Sequence, residues 1–472
     1  GNTGAVYLSN SSGAGVTVSG TTSGIIQIRE TSGNNLTLST TSALISGNND
    51  ITLITDGLIL STGSSIDAGT GTVSIRPGNP AQPINLGSVA TNSLSITQDM
   101  LNQMTATTLT LGGIAQTADI TISGPIDTVA ASGLGGQLDL ITLGSITDSG
   151  STSISATTLN LSAGNTVNLN TAINRSSIQL TAAGNVTLQN NGNLQLLDVD
   201  TSDGTITVAS SGQLSAIDVQ SGNNNAISLS GSSIVVDRIN AAAGNVSLTA
   251  STGAISQLNA VSATEVSAAQ LTATSASGIN LDTSVASADL SVTGTGNITL
   301  NNAVALNLLD VDSADGSITI SSTGALTATD VQSGNNRDIS LTGNGLVLDL
   351  VNAGTGFVTL DAAGGTILDN TTALVASQLT LNNTSAIGTA ANFLNSAVSE
   401  LIFAAGISGP SFIENSNVAG LTVSGSGIGA FDLREIAGNF TLGPVGLISN
   451  DNAISLSASS GEIVINGALN AG

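Results

Sequence analysis

A right-handed parallel β-solenoid (β-helix) with about 19–20 residues per turn is the all-β fold this sequence predicts, and three observations carry the prediction. The first is a row of apolar–polar–apolar triplets beginning at Val167, Val186, Ile206, Ile227 and Val246, spaced by 19, 20, 21 and 19 residues. The second is a gapless duplication. The run Leu196-Leu197-Asp198-Val199-Asp200-Thr201-Ser202-Asp203-Gly204 returns as Leu308-Leu309-Asp310-Val311-Asp312-Ser313-Ala314-Asp315-Gly316, and Asp218-Val219-Gln220-Ser221-Gly222 returns as Asp330-Val331-Gln332-Ser333-Gly334, both at an offset of 112. The third is composition: 56 Gly and 40% hydrophobic residues but only 1% aromatic. Ile, Leu, Val and Ala therefore fill the interior, and that interior is narrow.

Within each triplet, alternation at period 2 turns the flanking aliphatics to one face and the central Thr or Ser to the other. A second series, Ile178-Gln179-Leu180, Leu194-Gln195-Leu196 and Ile234-Val235-Val236, falls between the first, so two short strands per turn are expected. Gly-Asn, Ser-Gly and Asp-Gly clusters separate them as turns, because Gly and Asn accept positive φ. One turn of this length cannot bury its own apolar face; stacking turns at the strand spacing does. Roughly 24 turns would make a rod on the order of 115 Å long. Right-handedness follows the rule for parallel crossovers.

The chain reads as one continuous rod in four stretches. Residues 1–165 form enlarged coils, with a short helical insert near 97–104, where Thr97 caps a turn carrying Met100, Leu101 and Met104 at helical spacing. Pro77, Pro80 and Pro83 mark an extended loop before it, since Pro cannot donate to a central ladder. Residues 166–277 are the first copy of the 112-residue unit and 278–389 the second. Residues 390–472 continue the solenoid, and Asn392 to Val398 shows the same helical spacing through Phe393, Leu394, Ala397 and Val398.

The chemistry open to this chain is limited. Cys, His, Trp and Lys are absent, which removes disulfides, Cys and His metal sites, Ser–His nucleophile systems and Schiff-base lysines. The net charge of −25 makes nucleic acid and anionic membrane poor partners. No apolar run of about 18 residues offers a membrane span, and a signal peptide is expected outside this chain, with Gly1 and Gly472 lying in repeat-like text of a longer polypeptide. The candidate metal ligands are Asp198, Asp200 and Asp203 and their copies Asp310, Asp312 and Asp315, three carboxylates about a tight turn of the kind a hard cation such as Ca2+ takes. They lack the spacing of an EF-hand or a calcium-binding roll. The reading favoured is that Asp203-Gly204 turns the chain while Asp198 and Asp200 face outward, with no catalytic residue and no cofactor. A polysaccharide-cleaving site would want aromatic platforms and a basic residue beside its carboxylates, whereas Tyr7 and the six Phe look scattered. An ice-binding face would want two ranks of Thr; Thr187, Thr207, Ser228 and Ser247 supply one. The Asn-rich turns (Asn34-Asn35, Asn48-Asn49, Asn223-Asn224-Asn225) read as inter-coil amide ladders.

Ile75-Arg76-Pro77, Ile84-Asn85-Leu86-Gly87, Leu94-Ser95-Ile96-Thr97, Met104-Thr105-Ala106, Leu109-Thr110-Leu111-Gly112 and Ile120-Thr121-Ile122-Ser123-Gly124-Pro125-Ile126 resemble a recurrent module of bacterial filamentous-haemagglutinin-type exoproteins, the two-partner-secreted adhesins. The module covers about fifty residues. The resemblance implies a secreted adhesive β-helix, extracellular or on the bacterial cell surface. The secretion-domain motifs Asn-Pro-Asn-Leu and Asn-Pro-Asn-Gly-Ile are missing, and the single Asn-Pro, Asn79-Pro80, stands in another context. The expectation is a non-catalytic structural and adhesive rod. Its partners would be further coils of the same polypeptide or identical subunits end to end, and a host or neighbouring-cell surface. A self-assembling fibre without a receptor is the alternative.

Overall fold

In the computed structural model, residues 4–11, 13–150, 153–259, 264–370, 374–450 and 452–471 are described; Gly1 and Gly472 lie outside them. The fold is an all-β parallel β-solenoid of about 22 turns, 60% strand and 2% helix. The chain divides into two compact units, Gly1–Ser232 with Ile239–Ala242, and Ser233–Arg238 with Ala243–Gly472.

Each unit is built from aliphatic columns. In the first, Val186, Ile206 and Ile227 stack in register, as do Leu194 with Leu214, and Val199 with Val219 and Ile239. In the second, Ile298, Ile318, Ile339 and Val358 form one column, Leu306, Leu326, Leu346 and Ile367 another, and Val311, Val331, Val351 and Leu374 a third. All of these side chains are buried. A turn of the duplicated region therefore has three strand segments where two were expected. The third is hidden in sequence because it follows the second without a turn cluster: Leu197 and Asp198 both point outward, and this single break in alternation bends strand Leu194–Asp203 around a corner. The register slips by one residue there, a β-bulge.

Elements of the two copies recur at the offset of 112. Strands Val167–Ala183, Val186–Asn190, Leu194–Asp203 and Ile206–Ser210 match Ile279–Thr295, Ile298–Asn302, Leu306–Asp315 and Ile318–Ser322. Ile206 and Ile318 both point inward. Glycine is obligatory at one corner for lack of room: a Cβ on Gly204 would lie 1.8 Å from the Gly184 carbonyl oxygen, and one on Gly316 1.8 Å from that of Gly296.

Three further expectations change. The turn count falls from roughly 24 to about 22 because coils in the first unit are enlarged: Val73 pairs with Leu109 and Leu109 with Leu138, 36 and 29 residues on. The larger of these coils contains helix Gln98–Leu101, whose first turn is capped by the Thr97 hydroxyl, with Met100 and Leu101 buried, as the spacing predicted. The second helical turn does not form. Leu394–Ala397 is a strand, with Leu394, Ser396 and Val398 inward and Phe393, Asn395 and Ala397 outward. A spacing of four fits both periods, and Ser396 can take the inner place because its hydroxyl donates to Asn415 Oδ1 at 2.9 Å. Nor are the Phe scattered, since five of the six lie between 393 and 440. Phe403, Phe431 and Phe440 are fully buried, the first two with ring centroids 4.7 Å apart.

A further repeat joins the two units in sequence. Residues 7–30 align without a gap on 412–435, at an offset of 405: Thr17-Val18-Ser19-Gly20 on Thr422-Val423-Ser424-Gly425, Asn10 on Asn415, and Ile28-Arg29-Glu30 on Leu433-Arg434-Glu435. At an offset of 403, Leu44-Ile45-Ser46 falls on Leu447-Ile448-Ser449. The structures match in detail. Val6–Asn10, Ile26–Glu30 and Ile51–Ile54 stack in parallel as do Ser411–Asn415, Phe431–Glu435 and Ile454–Ala458. Asn49 Nδ2 donates to the Ser23 carbonyl, and Asn452 Nδ2 to that of Ile428, its counterpart.

Candidate functional site

Strand alternation places the predicted carboxylates. Asp198 and Asp200 flank inward Val199 and face solvent, and Asp203 lies beyond inward Thr201 at the far end of the strand. Gln179, on the preceding coil, joins the first two: its Nε2 donates to Asp198 Oδ2 at 3.0 Å and Asp200 Oδ2 at 3.3 Å. Asp203 Oδ1 instead accepts from Asn225 Nδ2 at 2.9 Å. In the second copy Asp310 and Asp312 again face outward, and Asp315 Oδ1 pairs with Arg337 Nε at 2.8 Å, Arg337 standing where the first copy has Asn225. Among the described residues no three acidic side chains gather as a metal-holding group. The sequence triplet is thus divided between a face and a corner.

On that face the carboxylates form a ladder. In the second copy Asp289 stands opposite Asp310 and Ser291 opposite Asp312, so the bridging amide of Gln179 has no counterpart. Burial, followed by the charges of Asp330 and Asp289, raises Asp310; burial, followed by Asp310, Asp330 and Asp289, raises Asp312. Asp198 is raised by burial, then by Asp200 and Asp218. Carboxylates that repel one another on an open strand face can attract a proton. They do not form the enclosed, divided acid and base pair that glycoside cleavage requires.

The hydroxyl face is equally simple. Thr187, Thr207 and Ser228 are in register on the outer surface, and the next outward rank is Gln189, Ala209 and Ser230. Over these three coils Thr stands only in the first rank. Of the Asn turns singled out, Asn48 Oδ1 accepts from Thr70 N at 3.2 Å, Asn49 Nδ2 donates to the Ser23 carbonyl at 2.9 Å and Asn225 Nδ2 to Asp203, so these bonds run coil to coil but not between amides; Asn185 Oδ1 likewise accepts from Thr205 N and Asn297 Oδ1 from Ser317 N, at 2.9 and 3.0 Å. Aromatic rings and opposite charges do meet outside, at Phe393, Phe412, Asp432 and Arg434. That patch is closed on itself: Arg434 lies 3.8 Å over the Phe393 ring and its Nη2 is 3.2 Å from Asp432 Oδ2.

Buried polar side chains were not singled out from the sequence. Asn190, Asn302 and Asn415 end corresponding strands and point inward. Asn302 Oδ1 accepts from Val285 N and Thr283 Oγ1, both at 2.9 Å, while its Nδ2 donates to the Val285 carbonyl at 3.0 Å and that of Val304 at 2.8 Å. Asn190 holds Ile173 and Thr171 in the same manner, and Asn415 holds Val398 and Ser396. Each amide satisfies a backbone N–H and C=O of the previous coil where the next coil turns away. Glu30 and Glu435 are buried one coil after Asn10 and Asn415, whose amides donate to them. Burial pushes Glu30 up, but hydrogen bonds from the Ser32 hydroxyl, Asn10 and the Ser32 backbone outweigh it and hold the carboxyl below its usual range. The signal available in sequence was the recurrence of Asn190 and Asn302 at 112 and of Asn10 and Asn415 at 405.

Comparison with family models, with curated proteins and with solved structures returns no match.

Proposed function

We propose that this chain is a non-catalytic structural and adhesive segment of an extracellular or bacterial cell-surface fibrous protein. The observation that carries the reading is the solenoid itself: inside each unit strands pair in parallel coil after coil over dry aliphatic columns. Stacked coils of this kind resist bending and extension because every turn adds backbone hydrogen bonds along the stack. Polar side chains are engaged in corners and coil-to-coil bonds, as for Asn302 and Asn185. The likeness of residues 75–126 to the module of filamentous-haemagglutinin-type adhesins supports a secreted, surface-exposed setting. No cofactor is required by this role.

The partners proposed are further coils of the same polypeptide or identical subunits end to end, and a host or neighbouring-cell surface. The 405-residue repeat supports the first. Leu8 is 50% exposed, whereas its counterpart Ile413, under strand Leu394–Ala397, is 1% exposed. At the other edge of the module Leu469 is 47% exposed, whereas its counterpart Ile66, under strand Met104–Gly112, is fully buried. One module thus occurs with each of its edges covered once, which supports reading both edges as surfaces that accept another coil. Low-dose electron microscopy of the native protein tests the role. Fibres, stalks or a lattice on the cell surface are expected; a compact soluble particle would overturn it.

A further inference from the structure

The first unit holds a built cleft that the structural role does not use. Its floor is a row of hydroxyls, Thr52, Ser74 and Thr110, in register on three consecutive coils. Its walls are two loops of the enlarged coils. Pro77 turns the chain outward from strand Thr72–Arg76, and Asn79 N donates to Asp56 Oδ1 at 2.9 Å. The second loop is tied to the first where Thr117 N donates to the Pro80 carbonyl at 2.8 Å, and Gln116 Nε2 donates to that of Gln82. The walls are therefore pinned rather than loose, and they enclose about 400 Å³, within the range of small-ligand sites.

Arg76 lies in this cleft. It points outward at the end of its strand, half-buried, and its stem passes over the bare backbone of Gly113, where a Cβ would sit 3.4 Å from Arg76 Cδ. Acidic residues outnumber arginines 31 to 6 in this chain, and Arg337 and Arg434 each pair with a carboxylate. Among the described residues no carboxylate pairs with Arg76 and no acceptor takes its N–H groups. A guanidinium carries five donors in a planar fork matched to a carboxylate, and Arg76 offers that fork uncommitted beside Pro77, Pro80 and Ile114 in the lining of the cleft.

We propose that this cleft binds a monocarboxylate on a hydroxylated body, a uronic-acid unit, with Arg76 forking the carboxylate, the Thr52–Ser74–Thr110 row receiving hydroxyls, and Pro77, Pro80 and Ile114 covering the ring's apolar side. Ile114, 85% exposed at the rim, gains cover when the cleft fills. The inference deepens the adhesive reading by naming a ligand class and rests on it only in that the ligand leaves unchanged.

Titration of the full chain with D-glucuronate, read by saturation-transfer NMR and calorimetry, tests it, with D-glucose as neutral control. Saturable millimolar binding is expected, weakened at least about tenfold for glucose and for Arg76→Gln, and weakened by added salt. Gly113→Leu, which fills the space beside the Arg76 stem, should block binding with the charge kept. Arg29→Gln, at an arginine outside the cleft, should bind as wild type. Far-UV circular dichroism checks that each variant folds. Equal binding of glucose and glucuronate, unchanged binding by Arg76→Gln, or no saturable binding by the folded wild type would overturn the proposal. The structural role, tested by microscopy, would survive any of these results.

Discussion

At the residue scale, stability is concentrated in a few buried polar groups. Asn302 engages a backbone N–H and C=O at Val285 that no strand of the next coil reaches. Asn302→Leu should cost roughly 2–4 kcal/mol, because two buried backbone groups lose their partners at once. Asn302→Asp should cost at least as much at neutral pH, since it sets a carboxylate oxygen against the Val285 carbonyl. Chemical denaturation reads both. The carboxylate ladder acts oppositely. Burial and like charges raise Asp310 and Asp312, so between the unfolded and folded values the native chain holds protons that the unfolded chain has released. The stability this ladder contributes is fully present below the unfolded carboxylate values and is lost as the pH rises through the raised folded values. Glu30, held low, contributes above the usual carboxylate range and loses that contribution as the pH falls through its folded value. Asp312→Asn or Ser291→Gln, the latter restoring the amide bridge of the first copy, should each raise stability at pH 7 by about 0.5 kcal/mol, with the Asp312→Asn gain vanishing in acid. Millimolar calcium should move the melting temperature little. A rise of many degrees, abolished by Asp200→Ala with Asp312→Ala, would show that the ladder binds a cation.

At the element scale, corners decide the architecture. A strand turns a corner either at a Gly-Asn cluster or where two consecutive residues point outward, as Leu197 and Asp198 do. The first kind is visible as turn chemistry and the second only as a lapse in alternation. That asymmetry hides the third strand face in the sequence. The repeated end module is likewise an element in its own right, carrying its buried Asn and Glu pair with it. Replacing residues 412–435 by the sequence of 7–30 should therefore preserve the β signature in circular dichroism. It should cost about 1–3 kcal/mol, from ring packing against Phe403 lost when Ile26 takes the place of Phe431. A chain that fails to fold would mean the two segments match in pattern but not in structure.

At the scale of the whole molecule, exposed rungs govern behaviour in solution. Leu8 in the first unit, and Ile463, Ile465 and Leu469 in the second, point inward in their coils yet remain about half exposed at the uncovered edges. Unpaired parallel strands with apolar inner positions recruit further strands. Residues 1–472 produced alone should associate in a concentration-dependent manner, or exchange amide hydrogens rapidly in the edge coils, with the net charge of −25 only slowing association. Sedimentation over a hundredfold concentration range, combined with hydrogen exchange, measures this. A concentration-independent monomer with both edge coils strongly protected would contradict the proposed coil-to-coil partnership.

The period of the aliphatic residues alone determined that the chain is a parallel solenoid, which residues point inward and where the 112-residue unit repeats, because inward-facing side chains must recur once per coil. Thr97 with Met100 and Leu101 was legible for the same local reason, while Asn392 to Val398 was ambiguous because a spacing of four satisfies helix and strand alike. Lateral neighbours were not legible. Residues that touch across coils are separated by anything from 17 to 38 positions, so their meeting depends on the length of every intervening loop. Only the tertiary structure could therefore separate Asp203 from Asp198 and Asp200, bring Asn302 against Val285, and leave Arg76 without a carboxylate between the loops of two enlarged coils.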